Sequence, residues 1–409
     1  MINLTKTYRR SILTVLAVLF AFAVPASAQY NIYDLGKTIT TQDIRADNQG
    51  NVHLIWTNGT LLYYGRIVNN AVTGQKQLAS KVSTRFWRPL LSVRPNGSTV
   101  HITWCQGGGL GNKLMHTWRT SAGVWKTQTV YTAPSTKQIS MPACAVDGNG
   151  QVHVLFGVYN TSPSWYTLFY KKRSAAGTWG ALVAFAPKTP EHTFPALTTD
   201  STGRVHATWC VVGLLDGSRN DAYYCTAPSG GALKYASRVR IPKGPGTTLN
   251  GFGELYVDSN GVVHRSIGGW SGSLEKMCID HTKKLPGGSF STPTRASLDF
   301  LDLGACDPVP SVVAGEDGSA VVAWGHVKKD GSNEVKASLY NPDTKKWNLT
   351  TVDPAAGIPP KEGAYRVALT RTDTQLYGVW RAATGHLHLF VMPIVIQNNL
   401  LQPGIMRLD

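Results

Sequence analysis

Acidic residues are scarce in this chain. Its 409 residues hold 24 Asp and Glu against 40 Lys and Arg, a formal net charge of +16. Such an excess steers polyanions toward the surface. No extended basic run and no nucleic-acid-binding motif accompanies it, so nucleic acid is not the expected partner. Long apolar runs are also missing. Beyond Ile12 to Val24, nothing approaches the roughly 18 apolar residues of a membrane helix, so membrane insertion is not expected. The 6 Cys show no C-x-x-C spacing, which argues against a metal knot. A G-x-S-x-G elbow, an H-E-x-x-H helix and a P-loop are all absent. The turn Asp147-Gly148-Asn149-Gly150 has neither the terminal Glu nor the length of a calcium loop. No cofactor or metal is expected.

The first 28 residues have the character of a secretion leader. Lys6, Arg9 and Arg10 form a basic region, Ile12 to Val24 an apolar one, and Ala26-Ser27-Ala28 a small-residue cleavage site. Residues 1–28 are therefore read as a signal peptide and 29–409 as one domain, exported to a periplasm or the medium. The leader holds three basic and no acidic residues, so the mature chain keeps +13. In an exported chain Cys residues can form disulfides. Cys210 and Cys225, which flank one loop, are the favoured pair, while Cys105, Cys144, Cys278 and Cys306 are as readily free buried thiols.

What the chain does contain is a repeat. An acidic residue, a Gly-bearing turn and an apolar run usually ending in Trp recur seven times, as in Asp47-Asn48-Gln49-Gly50-Asn51-Val52-His53-Leu54-Ile55-Trp56. The anchors Val52, Val100, Val152, Val205, Val263, Val321 and Leu376 lie 48, 52, 53, 58, 58 and 55 residues apart. A turn-then-strand unit of this period signals one four-stranded sheet per repeat. The expected fold is all-β: a single-domain, seven-bladed β-propeller. Its ring is expected to close by pairing Tyr30 to Leu35 with Leu389 to Ile396, which removes two exposed edges.

This topology sorts residues onto two faces. The Asp/Gly hairpins join first to second strands on one face. On the other lie the starts of first strands and the variable loops after second strands, where function is usually presented. Strand starts there supply Arg88, His192, Asp307 and Tyr365. Second-strand ends supply Gln106, Tyr159, Asn160, Trp270, His326 and Arg381. The only acids expected near the channel are Asp307 and Glu254, so the paired carboxylates of most glycosidases are not evident.

Five of the 11 His belong to the repeat itself: His53, His101, His153, His206 and His264 hold one strand position and are expected to be structural. His281, His386 and His388 are placed on outer strands or turns at the surface. His116 lies within a third strand. His192 and His326 break the pattern at the channel mouth, where an imidazole near its ordinary pKa can exchange protons. Arg88 and Arg381 there could clamp a carboxylate.

The leader, the recurring Asp-x-x-Gly-x-Val-His turns and the Gly-x-Trp openings of fourth strands (Gly123-Val124-Trp125, Gly177-Thr178-Trp179) resemble glycoside hydrolase family 145 and related rhamnose–glucuronate lyases of Bacteroidetes. The resemblance implies action on terminal L-rhamnose α-1,4-linked to D-glucuronic acid in arabinogalactan-type glycans, hence an acidic oligosaccharide or polysaccharide partner and a monomeric enzyme. In that family hydrolysis is attributed to one His on the hairpin face. The matching position here is Gln49, which cannot usefully move a proton near pH 7. The lyase alternative implies His192 as base, Tyr365 or His326 as acid, and Arg88 and Arg381 holding the uronate. The substrate-binding set adds Gln106, Tyr159, Asn160 and Trp270. An α-L-rhamnosidase and a non-catalytic, lectin-like propeller remain the other two readings.

Overall fold

The computed structural model describes residues 30–83, 89–94, 99–107, 112–161, 164–186, 194–211, 221–271, 274, 276–301, 309–328, 332–354, 366–397 and 400–403. They form seven antiparallel sheets, and their one helical element is a single 3₁₀ turn, Tyr235–Ser237. Blades 1 to 6 run in chain order over residues 41–79, 90–132, 137–184, 196–241, 249–295 and 311–353. Blade 7 takes Ala368–Arg371, Gln375–Arg381 and His386–Gln397, and its outermost strand is the N-terminal Asn31–Thr38. The expected closure is there, with Asn31 opposite Val391 and Tyr33 opposite Leu389. First strands touch in sequence order around the ring, blade 7 meeting blade 1. The chain is an all-β, seven-bladed propeller.

The turn motif has a physical reading. Gly50, Gly150, Gly203, Gly261 and Gly318 all adopt φ between 75° and 85°, which explains the Gly at that place. In blade 1 the Asp47 carboxylate accepts N–H groups of Gln49 (2.9 Å) and Asn51 (2.8 Å), closing the turn from within. It also meets His53 Nε2 at 3.2 Å, while His53 Nδ1 meets the Tyr64 hydroxyl at 2.8 Å. Blade 4 repeats this with Asp200, His206 and Tyr224 at 3.0 and 2.7 Å. Burial pushes the Asp200 carboxyl up, but bonds from His206, Thr202 and Arg204 outweigh it and hold the group at about 2. Blades 2 and 5 put a second His where the Tyr stands, giving the buried pairs His101–His116 (3.0 Å) and His264–His281 (3.1 Å). The five repeat His are structural, as expected.

Seven apolar clusters fill the gaps between neighbouring blades. Trp56, Trp104, Trp209, Trp324 and Trp380 from the repeat are buried in them. A fully buried large apolar side chain contributes about 1.5–3 kcal/mol, so these wedges hold the ring.

Several expectations need correction. Cys210 and Cys225 are free. Cys210 stands opposite Ala222 and Cys225 opposite Ala207, three rungs apart. They also face different gaps, Cys210 toward blade 5 and Cys225 toward blade 3, so no bridge can form. His281 is buried in a third strand rather than at the surface, because it supplies the partner of His264. His386 and His388 lie on the third strand of blade 7, since the N-terminal strand occupies the edge. His116 is fully buried and stacks on Trp118, a structural position. The second strand of blade 6 begins at Ala320, one residue before the anchor Val321. Residues 1–28 and Cys306 lie outside the described residues.

Buried His pairs make acid stability predictable. Burial lowers His101 to about 3 and drives His116 and His281 well below their ordinary value. The folded state holds these rings neutral, whereas the unfolded chain protonates them below about 6.5. Stability is therefore complete above pH 6.5 and falls as the pH drops toward 3. His101 alone withdraws about 2 kcal/mol by pH 5. In His116→Tyr, which copies blades 1, 3 and 4, the melting temperature is expected to fall less between pH 7.5 and 5 than in the parent chain. An equal fall by calorimetry would show that the pair is not the acid-labile element.

Candidate functional site

Charged side chains cross the centre of the channel. Asp43 and Arg45 come from the first strand of blade 1, Glu254 precedes that of blade 5, and Arg366 precedes that of blade 7. Arg45 Nη1 lies 3.2 Å and Arg366 Nη1 3.3 Å from Asp43 Oδ1. Arg366 Nη2 also pairs directly with Glu254, and Arg45 Nη2 approaches it at 3.8 Å. The second Asp43 oxygen accepts the Leu91 N–H at 2.9 Å, and Ser311 donates to Glu254 at 2.8 Å. Two cations and two anions thus tie together blades 1, 2, 5, 6 and 7 with no net charge. Glu254 is near the channel as expected. Asp43, Arg45 and Arg366 were missed; the signal for the first two was paired charge inside a first strand, while Arg366 lies just before one.

On the loop face, His326 lies at the end of the second strand of blade 6, opposite Glu334 on the third. Its Nδ1 is 2.9 Å from Glu334 Oε1. Lys336 Nζ reaches the same oxygen at 2.8 Å and Lys328 Nζ the other at 3.3 Å. Burial raises the Glu334 carboxyl, but bonds from Lys336 and His326 overcome this and hold it below its usual value. The carboxylate is ionised at neutral pH and fixes the proton of His326 on Nδ1. Glu334, Lys328 and Lys336 were missed because nothing in the repeat marks them.

The other described loop-face candidates stand at the ends of second strands in blades 2, 3, 5 and 7. Gln106 is half-buried, its strand end bridged to Val82 of blade 1. Tyr159 stacks on Tyr166 with centroids 4.7 Å apart, and Asn160 follows it at the rim of blade 3. Trp270 is half-buried in blade 5, its carbonyl accepting the Thr248 N–H at 2.7 Å. Arg381 of blade 7 lays its guanidinium beside Gly385. Arg88, His192, Asp307 and Tyr365 lie outside the described residues.

The hairpin face holds a cavity of about 280 Å³ at the other end of the channel, with Arg45 and Glu254 among its lining. Of its turn acids, Asp47 is engaged as above and Asp258 accepts the Val262 N–H at 2.8 Å. The Tyr256 hydroxyl that lines it is pushed by burial up to about 12. No His lines this cavity among the described residues, so the concave volume and His326 are on opposite faces. Gln49 stands exposed beside it, its N–H held by Asp47.

No protein-family model matches this chain, and no curated protein matches it in sequence. Solved structures do match in fold. One is a PL25 polysaccharide lyase, an ulvan lyase bound to -[GlcA(1-4)Rha3S]-, with TM-score 0.58 and 11% identity over 88% of this chain and 95% of that chain. Another determination of a PL25 ulvan lyase gives a TM-score of 0.57 at 10% identity, with the same coverage. A protein of unknown function from Dyadobacter fermentans gives 0.52 at 8% identity, over 88% of this chain and 98% of that chain. At such identities the likeness is one of fold.

Breaking the channel latch tests its weight. Glu254→Ala leaves buried Arg366 short of a counter-ion and is expected to cost about 3–5 kcal/mol in urea unfolding. A loss below about 1 kcal/mol would place the latch among solvent-screened pairs.

Proposed function

We propose that this chain is an exported carbohydrate-active enzyme that cleaves an acidic glycan beside a uronate by β-elimination on its loop face. The observation that carries this reading is the His326–Glu334 pair flanked by Lys328 and Lys336. The likeness to an ulvan lyase bound to a glucuronate–rhamnose unit supports it, as does the basic balance of the chain.

The chemistry follows from the uronate. Its C5 proton is too weakly acidic to remove beside a free carboxylate charge, so cations must first neutralise that charge. Lys328 and Lys336 flank His326 through Glu334 on this face, and Arg381 ends the second strand of blade 7. With C5 deprotonated, electrons move into a C4–C5 double bond and the C4–oxygen bond breaks. His326 in its doubly protonated form, its Nδ1–H held by Glu334, gives the Nε2 proton to the leaving oxygen and is left as the neutral ring. His192 keeps the role of base and Arg88 that of carboxylate ligand assigned from sequence, with Tyr365 as a second acid. Preorganised charge of this kind is worth about 3–4 kcal/mol per donor in the transition state. The finer substrate is L-rhamnose α-1,4-linked to glucuronate, in arabinogalactan-type glycans such as gum arabic.

The test is ultraviolet absorbance from a 4,5-unsaturated uronate appearing as rhamnose is released. His326→Ala is expected to slow that absorbance by at least about a hundredfold with the fold intact by circular dichroism. Rhamnose without absorbance would replace the lyase by a hydrolase, and binding without product would replace both by a lectin.

A further inference from the structure

A second feature of the loop face lies between blades 4 and 5. Arg265, on the second strand of blade 5, is 1% exposed. Its Nη2 contacts the Gly251 carbonyl at 3.2 Å and Cys210 Sγ at 3.4 Å. Its Nε and Nη1 make no hydrogen bond, and no carboxylate pairs with it among the described residues. Buried Arg366, by contrast, has both Asp43 and Glu254. The Cys210 thiol supplies no counter-charge, since burial raises its pKa despite Arg265 beside it. A buried cation without a partner is costly and is kept only where something compensates it.

The surroundings indicate what that is. Gly251 directly precedes Phe252, which meets Phe194 edge to face at an interplanar angle of 77°. These two rings stand at the loop-face ends of adjacent first strands and are half-buried. Phe194 holds a φ of 30°, left-handed backbone that a bulky side chain rarely adopts and that marks functional positions. Aromatic rings offer a face to the C–H side of a pyranose, and the charge behind them attracts a carboxylate. A neutral sugar would use only the rings, and a small inorganic anion only the charge. Both together suit a uronic acid.

We propose that Phe194 and Phe252 form a uronate subsite at the channel mouth between blades 4 and 5, with Arg265 beneath it as the compensating charge. This subsite rests on the loop-face reading above and adds to it a second sugar position, away from His326 in blade 6. Arg265 acts through its field and does not touch the sugar.

The experiment measures binding of a β-1,4-glucuronan tetrasaccharide and of cellotetraose, its neutral counterpart, by calorimetry. In Arg265→Met the melting temperature is expected to hold or rise, because an uncompensated charge is gone. Affinity for the glucuronan should fall about tenfold while that for cellotetraose stays unchanged. Unchanged glucuronan affinity overturns the proposal, as does a wild-type chain that binds neither tetrasaccharide. If Arg265→Met fails to fold, Phe252→Leu decides: weakened binding of both ligands supports the subsite and unchanged binding overturns it. The lyase reading stands apart, since unsaturated-uronate absorbance can persist with a failed subsite. Conversely, charge-dependent binding without that absorbance would leave the subsite and remove the lyase.

Discussion

Every sheet in this chain is apolar on both faces, so no blade can bury its surface without two neighbours. That constraint governs the rest of the structure. The clusters that hold Trp56, Trp209, Trp324 and Trp380 belong to gaps between blades, not to any blade alone. An open row of seven would leave two such faces wet and two strand edges unpaired. Closing the row satisfies both at once, and the strand that closes it comes from the other end of the chain, Asn31–Thr38 beside His386–Gln397. Stability is thus shared around the ring, as in repeat proteins generally, but without free ends.

Within this frame the polar groups divide by position. In blades 1 and 4 the turn Asp and strand His lock a hairpin and hold the second strand against the third, as Asp47, His53 and Tyr64 do. Nearer the axis, Asp43, Arg45, Glu254 and Arg366 occupy space where seven first strands leave a channel that apolar side chains cannot fill from the sides. Their mutual pairing closes the channel between a cavity on the hairpin face and the mouth on the loop face. In blades 1 to 5 the repeat spends its His inside the blade, bonded to a side chain of the third strand. His326, released from the repeat pattern, finds a carboxylate across the strand pair.

The fold was readable in advance, down to the partner of the N-terminal strand, because hydrophobic period and turn chemistry are local properties that recur. Five repeat His were separated from His326 on the same ground. Reading failed where a residue's role depended on its neighbour in space. His281 looked like a surface residue until His264 was beside it, and Cys210 and Cys225 looked like a bridge until the register set them three rungs apart on opposite faces. Glu334, Lys328 and Lys336 carry no motif at all; strand pairing alone gathers them around His326.

The sequence by itself determined the number of blades, the turn geometry, the strand that each repeat contributes to the core and the direction in which each strand runs. These follow from alternation, from Gly at positive φ and from Asp two and four residues before the N–H groups it binds, all within one repeat. The tertiary structure decided which charges meet. Asp43 with Arg366, Glu254 with both arginines, and Arg265 with the Cys210 thiol are contacts between blades, set by how the ring closes. A local pattern cannot specify them, because the pairing energy of a buried charge depends on distances that exist only once the seven sheets are packed.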